Sequence, residues 1–252
     1  MKKTMFHSPA AGVVAGTAIV LSVLSFVVIH VTMSDTVHPL TGTVSTYALR
    51  FPGNVLFPTG AMGLAVACAI LAGRGVGLPR QEPIRWILAV TPLMLMATAV
   101  FRTGTPQTGL TIGAQIHRYS AGAAFIALIV VALLCIHRSR GTDVPIGVRR
   151  MLGWIAALSL LTFAVTTVNT FWPGFLSGGE WRGVPQRVLL AVQSAQVMVL
   201  LVSSRRDVHA AEEAVETVKP AAASRAATRG SRQPVAVPSE LVSAPVLTGA
   251  GA

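Results

Sequence analysis

Charged residues are scarce, at 12% of a 252-residue chain, where a soluble domain carries about a quarter. Acid is scarcer still, with nine Asp and Glu against twenty Lys and Arg. That leaves little from which to build a paired-carboxylate active site. The two cysteines, Cys68 and Cys135, both fall inside apolar runs. They lack metal-ligand spacing and a disulfide-permissive setting, and read as small packing residues. The chain has no glycine-rich phosphate loop, no metalloprotease histidine pair and no serine-nucleophile elbow. It also shows no internal repeat, which weighs against an inverted-repeat transporter. The residues therefore nominate no catalytic group, no metal and no cofactor, and point away from an enzyme.

What the chain does have is long apolar runs. Hydrophobic residues make up 52% of it, and the charges cluster between the runs. That is how a polytopic membrane protein is patterned, because an ionised side chain at a helix centre costs roughly 2.5 to 3.5 kcal/mol on insertion. A span needs about 20 residues to cross roughly 30 Å of hydrocarbon. Six runs qualify: Gly12 to Val31, Asn54 to Ala72, the stretch between Arg85 and Arg102, the stretch from Arg118 to His137, Met151 to Phe171, and Val188 to Ser204. The fold class is all-α, a polytopic membrane bundle of six transmembrane helices. Residues 1–11 form a short N-terminal segment, 12–204 the membrane domain and 205–252 a tail. Beyond Pro220 the tail is Ala, Pro, Ser and Arg with almost no aromatics, a composition that predicts disorder.

The net charge of +11 raises the question of nucleic acid. No basic stripe interleaves with aromatics, however, and the basic residues lie on loops, where anionic lipid headgroups are the natural partner. With the N-terminus inside, the cytoplasmic segments hold eleven Lys and Arg, and the opposite face holds Arg50, Arg102, Arg118, Arg182 and Arg187. The positive-inside rule then places both ends in the cytoplasm of a cell inner (plasma) membrane protein.

The outer loops hold the informative polar residues. His117 lies next to Arg118 and Tyr119, near the outer end of the fourth helix. It reads either as a ligand or proton-relay contact or as a histidine tying down a neighbouring loop. Glu180 and Asp35 are the acids of this face, and ion pairs with the nearby arginines are expected. Arg187, after Gln186, opens the sixth helix, where it would anchor to phosphate headgroups or make a specific internal contact. Tyr47 sits in the first outer loop. His30 and His117 share a depth, the minimum a haem-ligating pair would need. Gly12 and Gly16 suit close approach of another helix, including one from a second copy of the chain. Pro58 and Pro92 interrupt the second and third spans.

Two stretches resemble a known family. FRTGTPQTGLTIGAQIHRYSAGAAF, Phe101 to Phe125, resembles the segment joining the third and fourth helices of the domain-of-unknown-function 998 family. GVPQRVLLAVQSAQVMVL, Gly183 to Leu200, resembles that family's last helix. The resemblance covers about Gly12 to Ser204. It implies a six-helix inner-membrane protein with no established activity, and it raises the interest of His117 and Arg187. The family's polar stretch often carries an aspartate after its proline or threonine. Here Arg102 to Gln107 hold no acid, which counts against a role requiring a carboxylate there.

Three readings follow. The leading one is a non-enzymatic membrane protein that binds a lipid headgroup or small anionic ligand at an outer pocket of His117, Arg118, Arg102, Arg187, Glu180 and Tyr47. The second is a small transporter or permease using Asn169, Gln193 or Gln196. The third is a haem- or histidine-dependent redox protein using His30 and His117.

Overall fold

A computed structural model describes residues 8–105, 109–142, 144–175 and 180–204. The predicted disordered tail lies outside the described residues. The chain divides into units Met1–Val208 and His209–Ala252, and only the first is described below.

Among the described residues six helices are long and apolar enough to cross a membrane: α1 (Pro9–Thr32), α2 (Gly53–Arg74), α3 (Glu82–Val100), α4 (Ile112–Arg138), α5 (Ile146–Phe171) and α6 (Gly183–Ser204). Several start earlier than hydropathy alone suggests, α4 before Arg118, α5 before Met151 and α6 before Val188. Hydropathy marks the hydrocarbon boundary, whereas the helix continues to its cap. At α4 the hydroxyl of Thr111 accepts from the Ala114 amide at 3.2 Å, and at α1 Ser8 accepts from Ala11 at 3.2 Å, each satisfying one orphan N–H.

The inward faces are small and partly polar, and the outward faces are apolar. On α1 the buried residues are Gly12, Ala15, Ile19, Ser22, Ser25 and Ile29, while Val13, Val20, Leu24, Val28 and Val31 are exposed. Lipid tails attract Val and Leu as strongly as a protein core does, so helix contact is won by close approach and hydrogen bonds. The closest α1–α2 approach is carried by Gly60 and Gly63 on α2. A methyl on Gly60 would meet the Phe26 ring at 2.8 Å, and one on Gly63 would strike the carbonyl of Ala18. There the Ser22 hydroxyl donates to the Gly60 carbonyl at 2.7 Å.

α2 packs against α1 on one side and α3 on the other, α3 packs on α4, and α4 on α5. α6 is tied to α4 by hydrogen bonds described below. The main core gathers residues of all six helices, including Ile19, Leu64, Leu88, Leu128, Leu152 and Leu201, and holds the fully buried, free Cys68 and Cys135. A second cluster of Ile29, Met33, Val37, Val44, Tyr47, Ala48 and Phe57 lies under the α1–α2 connection. That connection contains a 3-10 helix, Val44–Leu49. The ends of the six helices next to the α1–α2, α3–α4 and α5–α6 connections lie on the face opposite the start of α1, called the distal face below.

On the other face, Arg85 donates from Nε to the Ala72 carbonyl at 2.9 Å and from Nη1 to Glu82 at 3.1 Å. A cation therefore covers the open carbonyl end of α2, where the helix dipole favours it.

Candidate functional site

Arg187 lies one turn into α6 and reaches across to α1 and the α1–α2 connection. Its Nε lies 2.9 Å from His30 Nε2 and 3.3 Å from Nδ1. The shorter contact is the hydrogen bond, since one N–H cannot point in-plane at both ring nitrogens. Its Nη1 donates to the Gly42 carbonyl at 2.7 Å and its Nη2 to the Tyr47 hydroxyl at 3.0 Å. The guanidinium also sits 5.5 Å from the Tyr47 ring centroid, within cation–π range. Tyr47 Oη is 3.3 Å from His30 Nδ1. Because His30 Nε2 accepts from Arg187, the ring proton belongs on Nδ1, where it donates to Tyr47.

The surroundings are shaped to this fork. A methyl on Gly183 would collide with Arg187 Nη1 and with the carbonyls of Pro39 and Gly42. Gly183 N–H donates to the Leu40 carbonyl at 2.7 Å, and the Gln186 side chain accepts from the Val44 amide at 2.8 Å. The start of α6 is thus laced to the first connection by Gly183, Gln186 and Arg187 together. A planar fork with fixed donors suits such a lock better than a point charge would.

His117 makes a second anchorage. Its Nδ1 donates to the carbonyls of Thr98 and Phe101, each at 2.8 Å. These are among the open carbonyls at the C-terminal end of α3, which otherwise lack helical partners. The Thr98 hydroxyl meets that of Ser120 at 3.0 Å. With its proton on Nδ1, His117 keeps Nε2 as an acceptor. The ring lines a small cavity of about 50 Å³ between the two anchorages. Ser45, Thr98, His117 and Gln186 are its polar walls, and Phe26, Phe57 and Leu64 are among its apolar ones. At roughly 10 to 15 Å³ per water, it has room for a few waters.

The six residues proposed from sequence do not form one pocket. Arg187 and Tyr47 come together, joined by His30. His117 lines the adjoining cavity, which neither Arg187 nor Tyr47 lines, and bonds to α3. Arg118 stacks over the Phe171 ring at 5.9 Å, at the far end of α5. Arg102 and Glu180 are exposed. Among the described residues Glu180 forms no ion pair, whereas Glu82 pairs with Arg85. Arg187 meets neutral acceptors inside the bundle, while Glu180 faces outward. His30 is engaged by both Arg187 and Tyr47, which leaves neither ring nitrogen free for iron. Sequence reasoning missed the parts of the lock that carry no charge, Gly42 and Gly183. The signal for them is the spacing Gly183, Gln186, Arg187 at a helix start.

Deeper in the bundle, the Gln193 amide donates to the Phe125 carbonyl at 2.9 Å and the Gln196 amide to the Leu128 carbonyl at 2.7 Å. These two bonds join α6 to the middle of α4.

The family model described as "Protein of unknown function (DUF998)" matches residues 14–203. The chain belongs to that family. The match runs from the first turns of α1 to the last turn of α6, so both anchorages lie inside the DUF998 region. No curated protein and no solved structure matches the chain. The DUF998 assignment and the six apolar helices together make this a multi-pass integral membrane protein.

Proposed function

We propose that this DUF998 protein is a non-enzymatic membrane protein that binds an anionic headgroup or small anion at its distal face, using Arg102 and Arg118. The observation carrying this reading is the contrast among the arginines. Arg187 is consumed by internal acceptors, and it holds the face together with Tyr47 and His30. Arg102 is exposed, and Arg118 lies against an aromatic ring. Neither meets a carboxylate, although both flank the α3–α4 connection that His117 fastens. Guanidinium groups free of carboxylate partners recognise phosphate or carboxylate by paired N–H donors. The cytoplasmic placement of both termini in a plasma membrane belongs to the same proposal and rests on the eleven-to-five distribution of Lys and Arg.

The test is a titration of purified protein with anionic and zwitterionic lipids. Preferential binding of the anionic lipid is expected, with loss of the preference in Arg102→Ala and Arg118→Ala. Equal binding of both lipids by the unmodified protein would sink the proposal.

A further inference from the structure

The buried polar atoms that lack a protein partner are not scattered. Among the uncharged side chains of the described residues, they are Ser159 Oγ, Asn169 Oδ1 and Nδ2, Gln193 Oε1 and Gln196 Oε1. All belong to α5 and α6. Ser159, Gln193 and Gln196 are 0% exposed, and Asn169 is 1% exposed. Buried amides and hydroxyls in native proteins almost always find a partner, and the need is greatest at membrane depth, where no bulk water reaches them.

Along α5 they continue one buried stripe. Leu152, Ile155, Ala156, Ser159, Thr162 and Asn169 are the buried residues of α5, recurring at helical spacing. The half nearer the N-terminal face is apolar, and the distal half is polar. At 1.5 Å per residue, Ser159 lies about 18 Å from the distal end of α5, and Gln193 about 15 Å from the distal end of α6. They therefore share a depth near mid-membrane. The two helices are neighbours there, since Leu158 of α5 and Val192 and Ala195 of α6 line one groove on the outer surface. Gln193 and Gln196 are held rigidly by their bonds to α4, which fixes the amide planes and leaves each carbonyl oxygen as a free acceptor. The distal part of α5 adds Thr162, Thr166 and Thr170, whose hydroxyl protons are used on carbonyls four residues back at 2.7 Å. Each keeps an oxygen lone pair.

We infer that the α4–α5–α6 sector contains an uncharged hydrogen-bonding seam, running from Asn169 at the distal end to Ser159, Gln193 and Gln196 at mid-membrane, that takes up small neutral hydroxyl donors. Its unpartnered atoms are four oxygens and one amide nitrogen, none of them charged. It thus suits O–H groups of neutral molecules and offers no charge to an anion. This separates it from the arginines of the distal face, and it does not depend on them. Water and a glycerol-sized polyol share the required chemistry.

Thiol accessibility tests this. Ser159→Cys and Asn169→Cys are made with Cys68 and Cys135 replaced by Ala, reconstituted in liposomes and treated with N-ethylmaleimide. Only a thiolate reacts, and thiolate forms where water reaches it. Leu160→Cys and Leu161→Cys, exposed positions at the depth of Ser159, are its controls. The expected result is modification of the seam positions at least tenfold faster than of the controls. Slowing by glycerol identifies a polyol-accepting seam, and an unchanged rate identifies one that holds water alone. Equal, slow modification of seam and control positions overturns the inference. Should Ser159→Cys fail to fold, Thr162→Cys, one turn nearer the distal face and buried, reads the same seam.

Discussion

Arg187 Nε donates to His30 Nε2 at 2.9 Å, joining residues 157 apart in sequence and closing α6 onto α1. Because the same guanidinium also holds Gly42 and Tyr47, its removal opens three acceptors at once. Arg187→Ala is expected to destabilise the bundle by about 2 to 4 kcal/mol, given that bonds to charged groups contribute about 1.5 to 3 each and do not simply add. Arg187→Lys keeps the charge but loses the fork and should recover only part. Denaturant unfolding in detergent measures both. A cycle with His30→Ala should show coupling of about 1 kcal/mol or more, and strict additivity would mean that the contact contributes nothing.

Gly183 tests the same lock without touching its charge. Gly183→Ala places a methyl against the Pro39 and Gly42 carbonyls and the Arg187 guanidinium. Overpacking of this kind costs about 1 to 3 kcal/mol. Gly122→Ala in α4 is the comparison, because a methyl there meets nothing within 4 Å. It should be neutral or slightly stabilising through helix propensity. If the two variants unfold alike, the close approach at Gly183 is not sustained.

His117 pins the end of α3. Loss of its bonds to the Thr98 and Phe101 carbonyls in His117→Ala should cost about 1 to 3 kcal/mol. Amide hydrogen exchange should rise locally around residues 98–101 before it rises elsewhere. His117→Asn, which keeps a donor on a short side chain, should exchange at an intermediate rate.

These contacts separate what the sequence made legible from what it did not. The spans were legible because hydropathy is set residue by residue, and lipid imposes one length on every crossing. His117 and Arg187 stood out because charge and imidazole are rare in such runs. Their partners were illegible, because they are backbone carbonyls at Gly42, Thr98 and Phe101, and every residue has one. Glu180 and Arg102 looked as conspicuous as Arg187 in sequence and lie exposed in the fold. Sequence spacing cannot tell which of several loop arginines turns inward. At the start of α6 the inward turn of Arg187 is accommodated by Gly183, whose missing side chain leaves room for the guanidinium.

Arg102 should behave as the converse of Arg187. It is exposed and unpaired, so Arg102→Ala should change stability by no more than about 0.5 kcal/mol, while lowering the preference for anionic lipid. That preference should weaken as salt rises toward physiological strength and beyond, because exposed charges are screened over about 8 Å there. A salt-independent preference would point to apolar contacts instead.

Gln193→Leu and Gln196→Leu distinguish a structural staple from a wet seam. Each removes one hydrogen bond to α4, and interhelical bonds in membranes contribute only about 0.6 kcal/mol on average. Each also removes an unpartnered buried oxygen, which offsets part of that loss. Stability should therefore change by less than about 1 kcal/mol. Hydration should change much more, because two fixed acceptors at mid-membrane become methyl groups. In the double variant, maleimide modification of Ser159→Cys should fall toward the rate at Leu160→Cys, while Asn169→Cys, nearer the distal end, should keep most of its reactivity. A large loss of stability without that gradient would make the glutamines staples alone.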